Sequence, residues 1–177
     1  MLCSQYFGKG DLRAIEVVEG IALRFSMLVS VVFALAAQLA PQAMMRVFTP
    51  DPELISIGSS YLRCISVAYL CWGVIEIYLA ALRSGGHIFT ATALNVFAFS
   101  LNILLNAVFI FGLLGAPRLG AMGVAIATSL SRILELLLCL WVSHKSTDIH
   151  LDFRAMFVLN PLLFKDFLGM ALPAILN

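Results

Sequence analysis

Charge is scarce in this chain. Of its 177 residues 12% are charged and 62% apolar, where a soluble domain has about 25% charged and about 45–50% apolar residues. So few ions cannot clothe a water-soluble globule of this length, which excludes a soluble enzyme domain. The apolar excess equally excludes a disordered chain. The net charge is only +1, so no basic field attracts phosphates and nucleic acid is excluded as a partner. Cysteine is sparse too. Cys3, Cys64, Cys71 and Cys139 form no CxxC pair and three lie in apolar runs, so they read as small hydrophobes of a membrane core. His87, His144 and His150 fall at turns or in a polar connector, without the spacing of a metal-ligand pair and with no Ser/His/Asp arrangement. No metal, cofactor or enzymatic activity is expected, and the first residues do not read as a signal peptide. What remains is an all-α, polytopic transmembrane helix bundle with membrane lipid as its surroundings.

A span needs about 20 mostly apolar residues, and four segments qualify: 14–45, 64–82, 88–112 and 119–143. The first has an amphipathic lead-in with Glu16, Glu19 and Arg24, then an uncharged run from Phe25 to Met45. The second is apolar except for Glu76. The third begins an uncharged run that continues to Pro117, with Gly112, Gly115 and Pro117 marking where the helix stops. Asp51 reads as an N-cap with Pro52 at the first helical position, and Glu53 to Arg63 as a short interfacial lead-in to the second span. Arg83-Ser84-Gly85-Gly86-His87 reads as a tight turn. Residues 144–166 form the longest polar connector, a linker between lobes, and residues 167–177 read as a further span cut short.

Lys and Arg set orientation. Lys9, Arg13, Arg24, Arg83, Lys145, Arg154 and Lys165 fall on one side, against Arg46, Arg63 and Arg118 on the other. The excess predicts a cytoplasmic N-terminus and linker.

Polar groups inside the membrane need an interior or aqueous partner. Asn95, Asn102 and Asn106 fall within a stripe roughly 40° wide at helical pitch, with Thr92 close to the same face. Two readings stand: a hydrogen-bonded seam between helices or a ligand-lined cavity. Glu76 has no basic neighbour three or four residues away, so no basic partner is expected on its own helix. It either carries a proton, snorkels to the cytoplasmic interface, or pairs with an arginine of another helix. Arg132 and Glu135 stand three apart and favour a structural charge pair over a charge relay. Gly120 and Gly123 are expected to let the fourth span approach a neighbour closely.

The run Asn102-Ile-Leu-Leu-Asn106-Ala-Val-Phe-Ile-Phe-Gly112, followed by Gly115-Ala-Pro117-Arg-Leu-Gly120-Ala-Met-Gly123-Val-Ala-Ile-Ala-Thr128, resembles the MATE (multidrug and toxic compound extrusion) transporters. Gln5-Tyr-Phe-Gly8-Lys9-Gly10-Asp11, Tyr61-Leu-Arg63, Leu82-Arg83-Ser84-Gly85-Gly86, Arg132-Ile-Leu-Glu135 and Leu172-Pro173 resemble, in that order, the cytoplasmic loop before the family's third helix, the start of its fourth, the turn before its fifth, a pattern common in its sixth and the opening of its seventh. The resemblance implies a fold of twelve helices in two lobes. Residues 1–143 would belong to the N-terminal lobe, residues 144–166 to the cytoplasmic linker and residues 167–177 to the first helix of the second lobe, as a fragment of that fold.

The same resemblance implies a cation-coupled antiporter, driven by H⁺ or Na⁺, that exports organic and often cationic compounds across a bacterial cytoplasmic membrane. Its partners would be those small organic substrates and the remaining helices of the full-length transporter. In some members the ion site of the first lobe uses an acid on helix one, polar residues on helix five and a Thr on helix six. Here the helix-five positions match Asn102 and Asn106, and the Thr matches Thr128. Those members carry Asp where this chain has Asn106, and an amide supplies a carbonyl oxygen but no negative charge. Glu76 and Asn95 complete the candidate ion and substrate residues. The alternatives are a lipid-linked oligosaccharide flippase of the same superfamily, which would want a cationic cavity, and a truncated remnant that does not transport.

Overall fold

The computed structural model describes residues 12–115 and 117–145, and the side chains from residue 17 onward except that of residue 114. The linker and truncated span expected at 144–166 and 167–177 therefore lie outside the described residues, apart from His144 and Lys145. The described chain is a bundle of helices: α1 (Leu12–Leu39), α2 (Pro41–Phe48), α3 (Pro52–Ser84), α4 (Ile88–Phe111) and α5 (Ala121–Lys145). A single 3₁₀ turn, Leu113–Gly115, follows α4. Four of these helices, all but α2, are long and apolar enough to cross a membrane, and the chain is an integral membrane protein.

Three boundaries differ from the sequence reading. The first span does not run to residue 45. It stops at Leu39, and Pro41 opens the separate short helix α2. Proline has no N–H to donate and its ring crowds the carbonyl one turn back, so the helix ends before it and a new one starts on it. The second difference is at α3. Its expected lead-in and span are one uninterrupted helix of 33 residues, because Gly58 alone does not break a helix anchored at both ends. Asp51 accepts a hydrogen bond from the Glu53 N–H at 2.9 Å, a cap that contributes about 1 kcal/mol, and Pro52 sits in the first turn. Thirdly, α5 runs from Ala121 to Lys145, so it starts and ends two residues later than expected. The end of α4 falls as read: Gly112 adopts the left-handed conformation that closes a helix, with φ 71°.

α3 is the central helix, packed along α1 on one side and α5 on another, while α4 lies chiefly against α5. The core cluster is built from Cys71, Ile75, Tyr78, Leu79 and Leu82 of α3 with Leu94 of α4 and Cys139 of α5. Lipid tails are as apolar as these side chains, so close packing and interhelical hydrogen bonds hold such a bundle together. Both devices are present. Ser26 of α1 donates to the Gly73 carbonyl of α3 at 2.9 Å, and Ser129 of α5 donates to the Cys64 carbonyl at 3.1 Å. Gln38 of α1 donates to the Arg63 carbonyl and to Ser66 Oγ. At Gly73 an added Cβ would collide with Ser30 Oγ, so α1 and α3 touch there only because the residue is glycine.

The two glycines before α5 divide the role expected of them. Gly123 does permit close approach: a Cβ there would lie 2.8 Å from Phe109 Cβ and 3.1 Å from its carbonyl oxygen. Gly120 has no neighbour near its missing Cβ and a φ of +54°, so its glycine serves the turn and not the packing.

Candidate functional site

The close approach at Gly123 sets the upper seam between α4 and α5. Leu119 N–H donates to the Phe109 carbonyl at 3.1 Å, and the Arg118 guanidinium donates to the Phe111 carbonyl at 3.2 Å. Below it the polar stripe of α4 meets α5. Asn102 Nδ2 donates to Thr128 Oγ1 at 3.2 Å, and Asn106 Nδ2 donates to Asn102 Oδ1 at 3.0 Å. The relay ends on Asn106 Oδ1, which is shielded from solvent and accepts no hydrogen bond among the described residues. A buried carbonyl oxygen without a donor is costly to leave bare. It is also a ligand of the type that hard cations take. Asn95, two turns further down α4, is exposed and joins none of these bonds among the described residues.

The second group of polar residues lies toward the opposite end of α3. Glu76 does have a basic partner on its own helix, contrary to the sequence reading: Arg83, two turns on, with Nη2 3.7 Å from Oε2. The reach of an arginine side chain spans seven residues where a search at three and four misses it. Trp72 Nε1 donates to Glu76 Oε1 at 3.0 Å. The Arg132 guanidinium sits 5.1 Å from the centre of the same indole ring, a cation–π contact, and Arg132 Nη1 is 2.6 Å from Glu135 Oε2. Glu76 and the Arg132–Glu135 pair, unconnected in the sequence, are thus joined through Trp72 into one chain from α3 to α5. Trp72 is the residue that sequence reasoning missed. Its spacing of four from Glu76 was visible, but its contact with Arg132 depends on how α3 and α5 pack.

Beside this chain, between α1 and α3, runs a groove of about 270 Å³ whose lining includes Phe33, Tyr69, Trp72 and Glu76 with Ser26 and Ser30. Aromatic faces and one half-exposed carboxylate are the groups that hold an organic cation. The groove and the amide relay are separate places in the bundle: no residue is shared between them. Among the described residues no cluster of three His, Cys, Asp or Glu side chains suited to a metal ion occurs.

Comparison with known proteins gives this geometry a context. The MatE family model matches residues 1–108. The uncharacterized transporter YisQ of Bacillus subtilis is 22% identical over 98% of this chain and 38% of its own length. The probable multidrug resistance protein NorM of Bacillus licheniformis is 30% identical over 56% of this chain and 22% of its own. Among solved structures, a MOP superfamily transporter from Pyrococcus furiosus superposes with a TM-score of 0.81 at 23% identity, over 98% of this chain and 38% of that one. The chain therefore spans well under half the length of the relatives it matches. With a family model covering more than half of its residues and the same helix arrangement, the chain belongs to the MatE family of membrane transporters.

Proposed function

We propose that this chain forms part of the first lobe of a cation-coupled exporter, with H⁺ or Na⁺ driving the efflux of organic, often cationic compounds. The observation that carries the coupling is Asn106 Oδ1, a buried carbonyl oxygen without a donor at the end of a relay fixed by Asn102 and Thr128. An ion seated there draws α4 and α5 together, and its release loosens them. The amide of Asn106 supplies no charge, so the site needs a carboxylate from elsewhere in the transporter to hold a bare cation. The aromatic groove with Glu76 supports the substrate class. The multidrug assignment of the NorM relative supports it as well. Four spans give at most part of an inter-lobe cavity, so the 177-residue chain alone is expected not to export.

The test is ethidium efflux from cells expressing the reading frame that carries this chain. Asn102→Leu and Asn106→Leu are each expected to lower efflux about tenfold at unchanged protein level, the loss of one well-placed ligand, roughly 1.4 kcal/mol. Unchanged efflux in both variants would remove the relay from the mechanism.

A further inference from the structure

The structure carries a second polar cavity at the membrane face opposite the Gly85–Gly86 turn. It encloses about 470 Å³ between α2 and the first three turns of α3, within the size range of small-ligand sites. Its charged lining is of one sign: Arg46 from α2 and Arg63 from α3, with Gln42, Ser56, Ser59 and Ser60 among its neutral polar residues. No carboxylate lines it. Asp51, between the lining Pro50 and Pro52, is turned to capping α3. Neither arginine forms a salt bridge among the described residues. The decisive group is Ser59. It is only 7% exposed, it lines the cavity, and its hydroxyl has no hydrogen-bond partner among the described residues. Ser60, beside it, is already satisfied by the Ser56 carbonyl.

The position of this cavity relative to the bilayer follows from α3. Arg63 and Arg83 stand twenty residues apart on one helix, about 30 Å along its axis, which is the thickness of the hydrocarbon core. With Arg83 at one interface, Arg63 stands at the other, and the cavity opens in the headgroup layer. α2 fits that level. It is a short helix whose Gln42 and Arg46 line the cavity while Val47 and Phe48 are strongly exposed, an interfacial helix rather than a span. Its pose on α3 is fixed where Met45 lies over Gly58, so closely that a Cβ at Gly58 would run into the Met45 side chain.

We infer that this cavity binds a phosphate-bearing anion at the membrane surface, held by Arg46 and Arg63 with Ser59 donating from the floor. Two arginines and a buried hydroxyl with a free O–H are the donor set for phosphate oxygens, and the same set serves a lipid headgroup or a soluble phosphate. The site is independent of the amide relay and of the export reading.

The test uses the purified 177-residue chain in neutral detergent. One arm titrates phosphatidylglycerol against phosphatidylcholine and counts retained lipid by native mass spectrometry. The other titrates inorganic phosphate by calorimetry. The chain is expected to retain phosphatidylglycerol at least about tenfold better than phosphatidylcholine, or to bind phosphate saturably. Arg46→Gln/Arg63→Gln should weaken that binding about tenfold or more, Arg46→Lys/Arg63→Lys should restore most of it, and Lys145→Gln should leave it intact. Ser59→Ala should weaken it about threefold with no change of charge. Selectivity in the lipid arm alone identifies a headgroup, and binding in the phosphate arm alone a soluble anion. No anion preference in either arm, or binding undiminished in the double Gln variant, overturns the site. Should that variant lose its helical circular dichroism, Arg46→Gln alone decides in the same way, because Arg46 is exposed on α2 and bonded to nothing among the described residues.

Discussion

At Gly123 one hydrogen atom decides whether two helices meet. Alanine there must push Phe109 aside by several tenths of an ångström, and small-to-large changes in a packed contact cost about 1–3 kcal/mol. Gly123→Ala is therefore expected to lower the thermal unfolding midpoint in detergent by several degrees, whereas Gly120→Ala, strained by its positive φ but free of neighbours, perturbs the turn and leaves the Phe109 contact intact. A fluorine label on Phe109 reports that difference: its resonance should move in the first variant and stay in the second. Glu76 gives a contrasting case. Its pair with Arg83 is about half exposed on both sides, and pairs of this kind contribute about 0–1 kcal/mol. Glu76→Gln should leave the unfolding midpoint nearly unchanged while altering the fluorescence of Trp72, read in a Trp141→Phe background. A large loss of stability would show that the pair bears more than its exposure allows.

Helix ends were the most legible elements, because caps and breakers act through local chemistry. Asp51 and Pro52, the Gly85–Gly86 turn and the Gly112 stop all stand where their residue types place them. Two of the three boundaries that differ have a common cause. An uncharged run reads as continuous, so the break at Pro41 was hidden, and a polar, serine-rich opening reads as separate, so the continuity of α3 was hidden. The break at Pro41 carries a prediction. Pro41→Ala restores the missing N–H and should fuse α1 with α2, moving Arg46 off the α3 cavity. Spin labels at Leu28 and Val47, in a chain whose native cysteines are replaced, should then separate toward about 28 Å, the length of nineteen residues of straight helix. An unchanged distance would mean that the Met45–Gly58 contact, and not proline, sets the bend.

For the molecule as a whole, the scarcity of charge points to the membrane and the glycine-rich segment around Gly112 to Gly123 carries the resemblance to its family. The partners of the candidate site were less legible. Helical spacing aligned Asn102 with Asn106, but the stripe also included Asn95, which the bundle leaves exposed. Only the packing of α4 on α5 shows that the relay ends on an oxygen without a donor. The link from Glu76 through Trp72 to Arg132 likewise needed α3 and α5 to be side by side. Tertiary placement of polar groups is set by where helices cross, and single-helix periodicity does not contain it.

The central claim is that the α4–α5 amides couple an ion to export, and ethidium efflux tests it most directly when Asn106→Asp is measured beside Asn106→Leu across external pH. The aspartate keeps the oxygen ligands and adds a titratable charge, so efflux should persist and become more dependent on pH than in the unsubstituted protein. The leucine removes the ligand, and efflux should fall about tenfold at every pH. Equal efflux and the same pH profile in all three proteins, at equal protein level, would contradict the account.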